Sequence, residues 1–440
     1  MFNSLIRRAL LATMRPVQFV IYAVSGLVPR RMDQWAFGCW SGHRFGDNAG
    51  AVFLHTQEHN DLGVRTAWIT NETSIRDRLR ADGHRAYLTW SPGGVWFAAR
   101  AGIFVYDSLP KDINYWVSRG AKFVHLRHGI GMKKIERAID APDHRLYKLF
   151  HGTPLQRLVW RFLLPWHLPV PDLLMSCSPA HASQGRAFYG VTPEQIRITG
   201  FARHDRLVPI PTQDRTAIPM IGEPAPADRP VFMYLPTFRE GYGQQSFHWD
   251  VLEDAARAAD VTIAVKLHFV DAERGVLGMD RAAASDMLRI VDPTIDPSDA
   301  YPHADGMMSD FSSAPFDFML LDRPILYYVP DLEEFQASRP LMFELEEIAL
   351  GPICRDAASL TAALKAARED GVGAHRSRYD ELREHFHTYA PGGASQRVVD
   401  AVAERFLGVA LDPQREVRRF TPTDGDDEFV VPPLRPTEER

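Results

Sequence analysis

Four short segments carry side chains that could hold an anion or move a proton. The first, Phe123-Val-His-Leu-Arg127-His128-Gly129-Ile-Gly131-Met-Lys133-Lys134, sets an imidazole beside two glycines and adds two ammonium groups. Glycine lets backbone amides approach an anion closely. The second, Tyr234-Leu-Pro236-Thr237-Phe-Arg239-Glu240, offers a hydroxyl and a guanidinium. The third, Val265-Lys266-Leu-His268, offers an ammonium and an imidazole. The fourth runs Met308-Ser309-Asp310-Phe-Ser312-Ser313 and continues to Asp317. Asp310, Ser312 and Ser313 are residue types that open helices, where free amides and the dipole favour an anion; plain capping is the alternative. Singly, each histidine fits a core or surface position. Together, cations and imidazoles at several strand ends suit a pyrophosphate whose charge grows as a phosphoryl group transfers.

The elements that must position these groups read as alternating strands and helices. Apolar runs predict strands at 35–39, 65–70, 102–106, 122–126, 173–177 and 196–200, with helices over 71–81 and 110–118. Most runs are apolar on both faces of the pleat, as in parallel strands covered by helices on both sides. Prolines crowd 208–230 and place a linker there, at 208–229. Strands resume at 231–235, 261–267, 288–291, 306–309 and 325–329, and helical patterns at 357–369 and 395–406 close the second half. The expected organisation is an α/β chain with two doubly wound domains at 33–207 and 230–410 facing across a cleft. Ligands in such sheets bind beyond the carboxyl ends of the strands. Residues 411–440, rich in Pro, Asp, Glu and Arg, read as a disordered tail.

Composition narrows the class. The 440 residues carry 50 Lys and Arg against 56 Asp and Glu, a net charge of −6, so the chain lacks the basic balance of a dedicated nucleic-acid binder. Three widely spaced cysteines make neither a disulfide framework nor a CxxC metal clip and fit a reducing compartment. No phosphate loop of the GxxxxGK[ST] type, HExxH, GxSxG or kinase signature occurs. The sequence therefore assigns no cofactor and no metal site.

Residues 1–32 differ from the remainder: Arg7, Arg8, Arg15, Arg30 and Arg31 occur with no acidic residue. The uncharged stretch from Pro16 to Pro29 is shorter than the roughly 18–20 residues that cross a bilayer. Two readings stand: a helix lying on an anionic membrane surface, or an amphipathic helix packed on the protein body.

In order along the chain, these segments resemble the CDP-glycerol glycerophosphotransferases of teichoic-acid and capsule synthesis, over roughly residues 35–405. Phe45-Gly-Asp47-Asn48, Arg127-His128-Gly129, Cys177-Ser178-Pro179 and Gly200-Phe-Ala-Arg203-His-Asp205 carry the first half of the resemblance. Leu235-Pro236-Thr237-Phe-Arg239, Lys266-Leu-His268 and Ser309-Asp310-Phe-Ser312-Ser313 through Asp317, Arg323-Pro324 and Pro330-Asp331 carry the second. The resemblance implies a GT-B-like fold and transfer of glycerol phosphate from CDP-glycerol, or another CDP-alcohol, to a lipid-linked or polymeric acceptor, releasing CMP. The enzyme would work peripherally at the cytoplasmic face of a membrane. It implies His128 and His268 as catalytic residues. Gly129, Gly131, Lys133, Arg203, Pro236, Thr237, Arg239, Lys266, Ser312, Ser313 and Asp317 are implied for substrate binding. The chain departs from the family pattern at Arg127, Ile130-Gly131, Ala202 and Phe269, and His151-Gly-Thr-Pro154-Leu155 is a more literal rival for the first motif. His128 is preferred because it follows a strand. A nucleotide-sugar glycosyltransferase, or a membrane-bound scaffold with a decayed site, are the competing functions.

Overall fold

A computed structural model describes residues 2–207, 217–237, 248–267, 285–338, 342–410 and 417–422, with side chains from residue 14 onward except those of 336–338. The chain forms two compact units. The first takes 2–128, 134–205 and the described residues from 393 on; the second takes 129–133 and the described residues between 206 and 392.

In the first unit, β1 (Arg31–Gly38), β2 (Arg65–Thr70), β3 (Ala86–Leu88), β4 (Ala101–Tyr106), β5 (Lys122–His125), β6 (Leu173–Ser176) and β7 (Ile196–Ile198) form a parallel sheet in the order β7-β6-β5-β4-β1-β2-β3. A short strand, Arg418–Arg419, adds to β7 in the antiparallel sense. The helices are α1 (Phe2–Ser25), α2 (Asp47–Glu58), α3 (Thr73–Ala81), α4 (Pro92–Arg100), α5 (Arg145–Phe150), α6 (Pro154–Leu163) and α7 (Pro179–Tyr189), with the late helix Ala394–Leu407. Side chains alternate across the pleat, so Trp35 and Phe37 face one layer and Ala36 the other. Val52 and Phe53 of α2, with Val398 and Val402 of the late helix, bury the first face. Phe97 and Ala98 of α4, with Ile21 of α1, cover the second. That double burial explains the unbroken apolar runs in the sequence.

The second unit orders its strands β14-β13-β12-β9-β10-β11-β8. They are β8 (Met220–Ile221), β9 (Val231–Leu235), β10 (Thr262–Val265), β11 (Leu288–Val291), β12 (Gly306–Ser309), β13 (Ile325–Tyr328) and β14 (Ile353–Cys354). All pairs are parallel except β8 with β11. Helix α8 (Trp249–Ala259) and the helix Ala357–Asp370 supply Leu252, Ala256, Leu360 and Leu364 to one core.

Four expectations change. The 208–229 linker contains β8, which pairs with β11 and is followed by buried Ala225. The helix expected over 110–118 is two single 3₁₀ turns, Pro110–Asp112 and Tyr115–Val117; Asn114, extended between them, uses its side chain to cap the second. The helix at 394–407 belongs to the first unit, because Asp205 accepts hydrogen bonds from the amides of Ala394 (2.7 Å) and Ser395 (2.8 Å) and its apolar side fills the β1/α2 layer. Within 411–440, Arg418–Arg419 is a strand rather than disordered chain.

Helix α1 uses two faces. One packs on the body: Phe19 meets Trp116 and Phe162, Tyr22 stacks on Tyr115 at 5.0 Å, and Arg15 lies 5.1 Å over both Trp116 and Trp166 while donating to the Leu163 carbonyl. Burial lowers the Arg15 pKa. The other face leaves Met14, Val17, Val20, Val24 and Leu27 exposed, beside exposed Leu155, Leu158, Val159 and Phe162 of α6. Among the described residues no helix is long and apolar enough to cross a membrane.

Candidate active site

The first unit gathers its polar residues at the carboxyl ends of β1, β4, β5 and β7. Asp47 and Asn48 open α2, and Arg203 follows β7. Arg203 Nη1 pairs with Asp47 Oδ1 at 2.7 Å, both side chains buried. Asn48 ties the ends together, donating from Nδ2 to the Arg127 carbonyl (2.7 Å) and accepting at Oδ1 from the Arg203 amide (3.1 Å). Asp107, just past β4, accepts from the Ala49 amide on both oxygens at 3.1 Å. Burial, then the Asp47 charge, pushes its pKa well above the usual carboxylate range. Asp112 accepts from the amides of Ser41, Ser108 and Leu109, and burial raises it to about 6.

His128 is presented by a strained turn. Arg127 has φ +61°, a left-handed conformation that a non-glycine residue adopts at a cost of about 1–2 kcal/mol. Its amide donates to His125 Nδ1 (3.0 Å), while His125 Nε2 lies 2.8 Å from the Ser108 carbonyl. His125 is thus a neutral ring fixed from both nitrogens, and burial drives its pKa well down. The Arg127 guanidinium turns away under α7, donating to the His181 carbonyl and Gln184 Oε1, each at 2.6 Å. Gly185 permits this, since a Cβ there would meet Leu174 at 2.5 Å and the guanidinium at 3.3 Å. Of the seven non-glycine residues with positive φ among the described residues, Trp40, Ser41, Asp47 and Arg127 all lie around these strand ends. Such strain concentrates where function requires an over-determined backbone.

His128 is exposed, with the Trp40 ring 6.0 Å away. Nδ1 lies 3.4 Å from Ser108 Oγ, and the ring also meets the Asp107 backbone. Desolvation by the surrounding strand ends, then the charges of Arg203 and Arg127, lowers its pKa to about 4. A neutral imidazole that donates one N–H to a carbonyl has its other nitrogen available as a base.

In the second unit the corresponding ends are those of β9, β10 and β12. Asp310, after β12, accepts from the Thr237 amide (2.8 Å) and hydroxyl (2.5 Å) after β9, and from its neighbour Phe311. Asp310 is therefore a clamp between adjacent strand ends, not a helix cap. The helix after Ser313 is a single short piece, Ala314–Phe318, and Ser313 makes no side-chain cap bond to it. Ser312 Oγ instead accepts from the Ala314 amide at 3.2 Å. Ser312 and Ser313 thus precede a helix of one short turn, and it is Asp310 whose expected capping role is replaced by the clamp on Thr237. Lys266, buried at the end of β10, donates to the Pro293 carbonyl at 3.0 Å. Lys133 belongs to this unit and lies 5.2 Å over Phe335, which stacks on Phe311 at 3.9 Å. Asp317 is buried in its helix, and His387 Nε2 meets the Phe316 carbonyl at 2.6 Å.

The structure thus groups Arg203 with His128 in one unit. In the other, Pro236 and Thr237 adjoin the Asp310–Ser313 turn, Lys133 adjoins its Phe311, and Lys266 ends the neighbouring strand. Arg239 and His268 lie outside the described residues. His151 caps the end of α5, its Nε2 2.6 Å from the Arg137 carbonyl, and Thr153 caps α6, so the literal rival motif forms a helix–helix junction. Sequence reasoning missed Asp107, Ser108, Asp112 and His387. Asp107 and Ser108 follow a predicted strand, and that position was the available signal. Among the described residues no cluster of three His, Cys, Asp or Glu is placed to hold a metal ion.

Comparison with known proteins extends this geometry. The family model for CDP-Glycerol:Poly(glycerophosphate) glycerophosphotransferase matches residues 20–404. The teichoic acid glycerol-phosphate transferase of Staphylococcus aureus is 26% identical over 396 residues, covering 83% of this chain and 92% of that protein. The teichoic acid poly(glycerol phosphate) polymerase of Bacillus spizizenii is 23% identical over 370 residues, covering 78% and 86%. The structure of the wall teichoic acid polymerase TagF superposes with a TM-score of 0.70 at 17% identity, covering 93% of this chain and 99% of that one, and shares the fold. The chain belongs to the CDP-glycerol:poly(glycerophosphate) glycerophosphotransferase family.

Proposed function

We propose that this protein transfers glycerol phosphate from CDP-glycerol to a hydroxyl of a lipid-linked or polymeric acceptor, releasing CMP. The observation that carries this reading is a family match spanning both sets of strand-end residues, from Asp47 to Asp317. The acceptor oxygen attacks the β-phosphorus, its proton passes to His128, and the bond from phosphorus to the CMP oxygen breaks. His128 suits the base because it is neutral and held against the Asp107 backbone. Lys266, Thr237 and the Ser312-Ser313 turn supply charge and hydroxyls for the pyrophosphate, with His268 and Arg239 completing the set.

The exposed apolar row of α1 and α6 supports work at a membrane surface, where Val17, Val20, Val24 and Leu158 would enter the headgroup boundary. The packed-helix reading describes one face of α1, and the membrane reading is proposed for the other.

The test is a panel of CDP-alcohols and nucleotide sugars with a membrane extract, scored for released nucleotide. CMP release with CDP-glycerol is expected. UDP or GDP release from a sugar donor, without CMP release, would overturn the reading in favour of a glycosyltransferase.

A further inference from the structure

A second basic site lies at the opposite end of the first unit's sheet from His128. Arg31 begins β1, Arg65 begins β2, Arg85 directly precedes β3 and Arg100 directly precedes β4. These strands are neighbours in the order β4-β1-β2-β3, so four guanidiniums meet at one edge. With Gln34, Tyr87, Gly93, Trp96 and Phe97 they line a cavity of about 260 Å³. That volume falls just below the roughly 300–1,000 Å³ of pockets that enclose drug-sized ligands, and suits a headgroup.

The charge there is poorly compensated. Asp33 pairs with Arg31 at 2.7 Å. The Arg65 side chain makes no hydrogen bond or ion pair among the described residues but feels the same Asp33 charge, Arg85 has one long contact to the Thr66 carbonyl (3.4 Å), and Arg100 lies 5.2 Å over the Trp96 ring. One carboxylate thus serves two of the four cavity-lining guanidiniums, and Arg85 and Arg100 have no carboxylate partner among the described residues. Folding does not require this arrangement, because like charges at one edge repel.

The surroundings indicate the occupant. The cavity begins four residues after Leu27, which is 81% exposed at the end of the apolar row on α1. Four residues of chain span at most about 14 Å. Arg30 fixes this junction by donating to the Ala98 and Ala101 carbonyls at the end of α4, and to Val117 and Arg119. Trp96 on the cavity wall is more than half exposed, as aromatic residues are at membrane interfaces.

We propose that this cavity binds the phosphate of an anionic lipid headgroup while the adjoining α1 row sits among the acyl chains. This rests on the membrane-surface reading above. It adds a defined lipid site, separate from the residues assigned to transfer.

The test uses the full-length protein and an Arg65→Gln/Arg85→Gln/Arg100→Gln variant, in flotation with phosphatidylcholine vesicles and with vesicles also containing phosphatidylglycerol. Wild type should prefer the anionic vesicles, and the variant should lose on the order of a hundredfold of that preference. Its binding to neutral vesicles, its thermal melt and its CMP release with a soluble acceptor should be unchanged. An equal preference in wild type and variant would overturn the proposal. So would inorganic phosphate or soluble poly(glycerol phosphate) displacing the protein from anionic vesicles at a concentration matching the lipid phosphate, since the site would then be for a soluble phosphate. A Val20→Glu/Leu158→Glu variant separates the two readings. If it floats like wild type, the apolar surface is wrong. If it leaves all vesicles while the arginine variant keeps its preference, the surface stands and the lipid site falls.

Discussion

The two units solve opposite electrostatic problems with the same architecture. At the strand ends of the first, Asp47, Asn48 and Arg203 are tied together beside one histidine, whose pKa is lowered by desolvation and then by the charges of Arg203 and Arg127. At those of the second, a carboxylate, Asp310, is consumed in joining β9 to β12, the turn after it carries the Ser312 and Ser313 hydroxyls, and the Lys266 ammonium lies at the end of β10 within reach of the Asp292 charge. A base needs neighbours that keep it neutral, whereas a phosphate site needs hydroxyl and ammonium donors. The comparison teaches that the acidic residues here are chiefly structural, and that each is spent where it disarms its own repulsion.

The strongest way to break this contrast is His128→Ala. If the first unit supplies the base, activity should fall by roughly 10²–10⁴. His151→Ala should stay within a few-fold of wild type. A dead His151 variant beside an active His128 variant would move the base to the α5–α6 junction.

Next in size is Arg203→Met, which leaves the Asp47 carboxylate buried without its partner. Such a loss costs about 3–5 kcal/mol. Urea denaturation should show it, while the double variant Arg203→Met/Asp47→Leu should recover much of it. A single variant as stable as wild type would mean the pair does not hold the site.

Asp310→Asn should cost less, about 1–3 kcal/mol, because an amide still accepts one bond but not all three. If the clamp positions the turn, the apparent KM for donor should rise more than kcat falls. An effect on kcat alone would assign Asp310 to the chemistry instead.

The smallest effect is on pH. His128 is lowered in the folded protein to about 4, below its unfolded value, so stability linked to it is full above about 6.5 and declines as pH falls toward 4. Activity should likewise keep its neutral base down to about pH 4. The conservative Arg203→Gln removes one cause and should move the acid limb upward. An unmoved limb would leave desolvation and Arg127 as the whole explanation.

Much of this was readable from residues. Strand runs such as Val231–Leu235, Leu288–Val291 and Gly306–Ser309 coincide with the observed strands because double burial makes them uniformly apolar. Two-residue strands such as Met220–Ile221 and Ile353–Cys354 carry too little pattern to see. The Arg203–Asp47 pair joins residues 156 positions apart, and no local period encodes it. Asp310 resembled a cap because a carboxylate before serines is a common helix opening; its true partner, Thr237, is 73 residues away. In the sequence Arg127 is only a departure from the family pattern; its positive φ and its bonds to His181 and Gln184 show a buried structural role that no local signal encodes.

The helix Ala394–Leu407 gives the chain an order of assembly. Its valines complete a core begun by Trp35 and Phe53, and its first amides bind Asp205. On a ribosome, the first unit therefore waits, with that apolar layer uncovered, until almost the whole second unit has been made. Domains generally fold as they emerge, and exposed apolar layers attract chaperones or aggregate. A chain arrested before residue 394 should bind a holdase through the β1/α2 face, and release should coincide with synthesis of the final helix.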